Sequence, residues 1–223
     1  MRKRVVIAAI ATTLLGSAAV LAQGQGQQPQ HPMSFFIAST VPGTGNLGGL
    51  AGADRICQNL AQAVGAGNHT WHAYLSQQQQ GAEPAVNARN RIGPGPWYNA
   101  KGVLVASSVA DLHGDVARDR NNIQRTTALD EHGNIVRGFG DMPNEHDMLT
   151  GSDPDGRAYP TGLDTTCNNW TSDGTDHKAM LGHSDRSGGG NTSWNAAHLS
   201  RSCSKADLIA TGGAGRFYCF ATN

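Results

Sequence analysis

The apolar positions of the chain fall into one long run, one helical stripe and several short strand-like clusters. The long run, Val5 to Ala22, follows the basic start Met1-Arg2-Lys3-Arg4 and closes on Val20-Leu21-Ala22. A basic start, an apolar stretch too short to span a bilayer and small residues at its end predict a secretory signal peptide over 1–22. Residues 23–33, "QGQGQQPQHPM", have no apolar periodicity and read as a flexible leader. Residues 34–223 remain as one domain, about 190 residues, long enough for a core of its own.

Within that domain, "FFIAST" (35–40) is rich in aromatic and β-branched residues and ends at a Pro/Gly turn, the pattern of a first strand. "GLAGADRICQNLAQAVG" (49–65) places Ile56, Cys57, Leu60, Ala61 and Val64 on one helical face and stops at Gly65, a suitable residue just past a helix end. "TWHAYL" (70–75) and "KGVLVA" (101–106) read as strands, and "RIGPGPWYNAKG" (91–102) as loop because of its Pro and Gly. From 107 to 147 polar residues dominate and loop-rich structure is expected. Three further strands are predicted at "HDMLTGS" (146–152), "TCNNWTS" (166–172) and "RFYCFAT" (216–222). One main helix among many short strands and Gly-rich turns predicts an α+β domain with a twisted, mostly antiparallel sheet and long loops.

Charge changes the picture by exclusion. Lysine plus arginine and aspartate plus glutamate both number 17, and losing Arg2, Lys3 and Arg4 with a signal peptide leaves the chain slightly acidic. No basic footprint for nucleic acid is present, and no membrane partner is expected after cleavage of the signal. All four cysteines, Cys57, Cys167, Cys203 and Cys219, lie beyond the signal, where an even number implies two disulfides in a secreted or periplasmic protein. A zinc site built on them is disfavoured, because no two stand at Cys-x2-4-Cys spacing. Three pairings are open on these grounds.

An early helix carrying Cys57, a late strand carrying Cys219 and a second cysteine pair between them resemble the C-type-lectin-like fold. By that resemblance the bonds are Cys57–Cys219 and Cys167–Cys203. "LTGSDPDGR", "CNNW", "MLGHSD" and "FYCFA" most resemble the endostatin-type C-terminal domain of collagens, which has a similar turn before a Cys-x-x-Trp strand. Nearly the whole mature chain, including "IGPGPWYNAKGV" and "GGAGRFYCF", is similar to secreted bacterial proteins labelled lectins.

The resemblance implies a carbohydrate or cell-surface glycan as partner, with a protein partner as the alternative. C-type lectins that use calcium carry a Glu-Pro-Asn-like segment and a Trp-Asn-Asp triplet. Here Trp194 and Asn195 are followed by Ala196, while Glu83-Pro84-Ala85 and Met142-Pro143-Asn144-Glu145 match poorly, so that ligand set is broken. No cofactor is required, and calcium is the one ion left open. Its weak candidates are Asp153, Asp155 and Asp164 around Gly156, where an EF-hand would need a closing Glu that is missing. A structural turn, with the carboxylates accepting from turn amides, is the favoured reading there.

Sugar binding without metal needs an aromatic ring beside hydrogen-bonding side chains. Trp194, Asn195, His183, Asp185, Arg186 and Asp173 supply those types, with Trp194 as the exposed ring and Trp170 assigned to the core. His146-Asp147, His183 with Asp185, and Ser184 offer acid–base types. No Gly-x-Ser-x-Gly elbow occurs, and no catalytic residue is assigned. A polysaccharide-acting hydrolase is thus the third-ranked function. Nine histidines raise the question of zinc, but hydrogen-bonded or surface histidines are expected.

Overall fold

A computed structural model describes residues 31–114 and 121–223. The expected signal peptide over 1–22 and most of the leader lie outside the described residues. Among these, no helix is long and apolar enough to cross a membrane.

Among the described residues the architecture is α+β, with three α-helices, one left-handed helical turn, three sheets and two disulfides. The first sheet has the order β1–β9–β2, formed by β1 (Phe35–Ile37), β9 (Tyr218–Ala221) and β2 (Trp71–Ala73), all antiparallel. Its two faces pack on different halves of the core. Phe36, Trp71, Ala73, Cys219 and Ala221 face the cluster under α1 (Gly49–Ala63), whereas Phe35, Ile37, Tyr218 and Phe220 join Tyr74, Ile92, Trp97 and Trp194. Burial on both faces explains why "FFI" and "YCFA" are continuous apolar runs rather than alternating ones.

Helix α1 forms as the periodicity predicts. Gly52, Ala53, Cys57 and Ala61 are buried at helical spacing, with Ile56 and Leu60 partly buried beside them. Past its end, Gly65 takes φ +80°. The N–H of Ala66 reaches the Ala61 carbonyl at 2.8 Å and that of Gly65 the Gln62 carbonyl at 3.1 Å, closing the last turn. Cys57 bonds Cys219, joining α1 to the middle strand of the sheet, and Cys167 bonds Cys203. This is the pairing the resemblance implies, and it leaves no free thiol for zinc.

The second sheet is the hairpin β3 (Trp97–Tyr98) with β4 (Leu104–Ala106), so the stretch 91–102 is not all loop. Trp97 holds β3 in place by burying its ring and donating Nε1–H to the Ala221 carbonyl at 3.0 Å. The third sheet has the order β7–β6–β5–β8, formed by His198–Leu199, Met180–His183, Asp147–Leu149 and Gly213–Arg216. Only β5 with β8 is parallel. Two short helices escaped the sequence reading, α2 (Val109–His113) and α4 (Lys205–Thr211). Each is capped by a serine, Ser108 and Ser204, that accepts from the N–H three residues on, and each ends at a left-handed glycine.

Residues 166–172 are not the expected strand. Cys167, Asn168, Asn169 and Trp170 form a single left-handed turn, α3, with φ of 50, 52, 54 and 65°. Each such residue costs about 1–2 kcal/mol, and the turn persists because its side chains are committed. Cys167 is in the disulfide, and Asn169 pairs with both backbone groups of Gln78 at 2.9 and 3.0 Å. Trp170 is buried and donates Nε1–H to the Ser76 carbonyl at 2.7 Å.

Candidate metal centre

The third sheet gathers a buried carboxylate and three imidazoles. Register places Asp147 of β5 opposite His183 of β6, and His198 of β7 opposite Leu181, two residues before His183. Residues two apart on a strand share a face, so Asp147, His183 and His198 line one side of the sheet. His146 stands just before β5 and stacks on His183, with ring centroids 4.3 Å apart at 15°. Gly182 permits the fit from the other side, since a Cβ there would collide with the Trp194 carbonyl. The strand after the loop therefore lies close over β6, where the His183 N–H donates to the Ser193 carbonyl at 2.9 Å.

Three Nε2 atoms point at one oxygen. Asp147 Oδ1 lies 3.3 Å from that of His146, 3.4 Å from that of His183 and 3.5 Å from that of His198. Ligands about 2.0–2.2 Å from a tetrahedral ion stand roughly 3.3–3.6 Å from one another, so these separations match the edges of such a site. One ligand atom each from His146, Asp147 and His183 lie mutually within 4.8 Å. Their side chains are 5%, 1% and 4% exposed, against 39% for His198.

Hydrogen bonding fixes what these atoms can do. Asp185 Oδ1 sits 2.9 Å from His146 Nδ1, and its other oxygen accepts the Phe139 N–H at 2.6 Å. Burial alone would raise the Asp185 carboxyl, but the hydrogen bonds from His146, Phe139 and Ser187 outweigh it and hold the pKa at about 2. Asp185 is therefore an acceptor, so Nδ1 of His146 donates to it and Nε2 is the atom left facing Asp147. His198 is set the same way by the Leu199 carbonyl, 3.0 Å from its Nδ1. When both rings are neutral, two ring nitrogens and a carboxylate oxygen stand together as acceptors, an arrangement that a metal ion between them, or a proton on His198, relieves.

The polar atoms at the centre are otherwise uncompensated. Neither oxygen of Asp147 and neither ring nitrogen of His183 has a hydrogen-bond partner, a costly state for groups this buried. Burial first, and then repulsion from His146 when that ring is protonated, lower the His183 pKa and favour the neutral form that a metal ligand needs. The nearby Asp147 carboxylate, opposed by burial, raises His198. Imidazole nitrogen with one carboxylate suits zinc and other first-row transition ions, not the all-oxygen shell of calcium. Neither a protein-family model nor a curated protein matches the chain.

The sequence-predicted site residues divide. His183 and Asp185 come together at this centre, one with its ring beside Asp147 and one behind His146. Arg186 follows in a left-handed conformation, φ 52°, and reaches Asn121 Oδ1 at 2.5 Å. Trp194 is not an exposed ring: it is 4% exposed and packs on Tyr74 and Tyr218 with centroids 4.8 and 5.4 Å away. A run after a Gly-rich loop looked like surface, but the aromatic core beneath it takes the indole. Asn195 is also buried and donates to Tyr74 Oη and to the Asp153 and Pro154 carbonyls. Asp173 is exposed in the turn between α3 and β6.

The three calcium candidates have local hydrogen-bonding partners instead. Asp153 Oδ1 accepts from the N–H of Asp155 and of Arg157 at 2.9 and 2.8 Å, the turn-forming role. Asp155 pairs with Arg157, and Asp164 accepts from Thr166, Asn168 and His177. None of them belongs to a three-ligand group among the described residues. Sequence reasoning treated His146-Asp147 as acid–base types and never singled out His198. A histidine at the end of each of three short strands was the available signal, and it needs the strand pairing to be readable.

Proposed function

We propose that the protein is an extracytoplasmic transition-metal-binding module, holding an ion such as zinc through His146 Nε2, His183 Nε2 and the Asp147 carboxylate. The observation that carries this reading is a buried carboxylate without a hydrogen-bond donor, faced at tetrahedral-edge distances by imidazole nitrogens. Asp185 completes the design as the carboxylate that orients a ligating histidine. Two disulfides support an oxidising compartment, secreted or periplasmic. The test is titration of the metal-stripped chain with zinc, read by calorimetry and by metal analysis after dialysis. One ion per chain is expected, with stoichiometric binding lost in Asp147→Asn and in His183→Ala. Unchanged binding in both variants would refute the assignment.

A second reading rests on a separate observation, a cavity of about 350 Å³ lined by His113, Asn121, Pro154 and residues 191–196. Its size lies within the range of small-molecule sites, and its amides and hydroxyls suit sugar hydroxyls. The disulfide pairing supports a C-type-lectin-like assignment for the fold, in which carbohydrate recognition would take place at this cavity rather than on a Trp194 face. A glycan array run with zinc, with calcium and with chelator tests it. Binding in no condition would remove the carbohydrate reading and favour a protein partner.

A further inference from the structure

We infer that His198 is an exchangeable ligand, and that its position on the ion is where a carboxylate from outside the protein coordinates; this rests on the metal-centre reading above. The inner three ligand atoms lie mutually within 4.8 Å, a group to which His198 does not belong although its Nε2 is 3.5 Å from Asp147. Its side chain is 39% exposed where the other three are at most 5% exposed. The supports differ in kind as well. His146 is oriented by Asp185, itself held by two backbone N–H groups. His198 Nδ1 contacts only the carbonyl of its own neighbour Leu199, on a two-residue strand at the edge of the sheet.

A divalent ion on two neutral imidazoles and one carboxylate keeps one uncompensated positive charge at the position facing solvent. Three protein ligands with an open fourth position is the arrangement that admits water or substrate, and an anionic oxygen donor completes the charge. The ligand class is therefore a carboxylate, carried by an acidic sugar or an acidic peptide.

Cobalt(II) in the metal-stripped chain gives the readout, because its d–d absorption reports coordination. The expected result is one cobalt per chain in wild type, His198→Ala and His198→Gln. Affinity in the variants should fall by no more than the roughly 10–100-fold of an outer partner, and acetate should change the spectrum of all three. Galacturonate and a glutamate-containing tetrapeptide distinguish the two sources by which shifts the spectrum at lower concentration. Loss of cobalt from both folded His198 variants, as in His183→Ala, would overturn the inference, as would a spectrum indifferent to every carboxylate. Failure of wild type to hold cobalt or zinc would instead remove the metal centre itself.

Discussion

Replacing Asp147 by Asn separates a metal ligand from an ordinary buried polar residue. The side chain is 1% exposed, and neither oxygen accepts a hydrogen bond. An ordinary buried, paired carboxylate would cost about 3–5 kcal/mol on losing its partner. Here the ring whose protonated form Asp147 favours on balance, His198, is 39% exposed, so the metal-free variant should stay within about 1 kcal/mol of wild type. The metal-loaded forms should diverge. At zinc a hundredfold above its dissociation constant, wild type gains about 2.7 kcal/mol. At roughly 2–4 °C per kcal/mol for a domain this size, that is a rise of about 5–11 °C in Tm. Differential scanning calorimetry in chelator and in excess zinc measures both. The reasoning fails if Asp147→Asn keeps the zinc-induced rise, or if wild type shows none.

Asp185→Asn should lower zinc affinity by about 10–100-fold without abolishing it, measured by competition with a chromogenic chelator. The same carboxylate sets an acid limb of stability: its folded pKa of about 2 lies below the usual 3.8, so its contribution, about 2 kcal/mol, is present above pH 3.8 and fades as pH falls toward 2. Acid unfolding followed by circular dichroism should therefore begin at higher pH in metal-free wild type than in a comparison that lacks this dependence, Asp185→Asn, once the two are normalised at pH 7. Trp194→Ala should destabilise by about 3–5 kcal/mol in urea titration, because the indole is core and not a sugar platform. Removing the Cys167–Cys203 bond, which closes a separation of 36, should cost about 4 kcal/mol, and Cys57–Cys219, separation 162, about 5. Equal denaturation midpoints for parent and double-alanine variants would contradict that ordering.

What was legible followed from local rules. Helix α1 has an apolar stripe and a terminal glycine, and β1, β5 and β9 lie inside segments with strand composition. Left-handed α3 was not legible, because two adjacent Asn tolerate that conformation singly but do not announce four such residues in a row; the disulfide, Gln78 and Ser76 impose it from a distance. Helix α4 was legible and overlooked, since Ser204 and Asp207 stand at capping spacing. The metal centre depends on register between β5, β6 and β7, which pairs residues 147, 183 and 198 across long intervals. Charge and residue type identified His183 and Asp185 as candidates, but only the pairing shows that Asp147 is the acceptor at which the rings converge.

The position of β9 at the centre of its sheet has a consequence for when the protein can fold. Phe35 and Trp71 meet not each other but Phe220 and Ala221, so the two N-terminal strands are joined into one sheet only by a strand made near residue 220. The bond that clasps α1 to that strand likewise awaits Cys219. This sheet therefore closes only after residues 218–221 have been made, and β1 and β2 wait for β9 as their common ladder partner. Packing of α1 onto the sheet and oxidation of the Cys57–Cys219 pair then belong to the late steps of folding, whatever forms earlier in the loops.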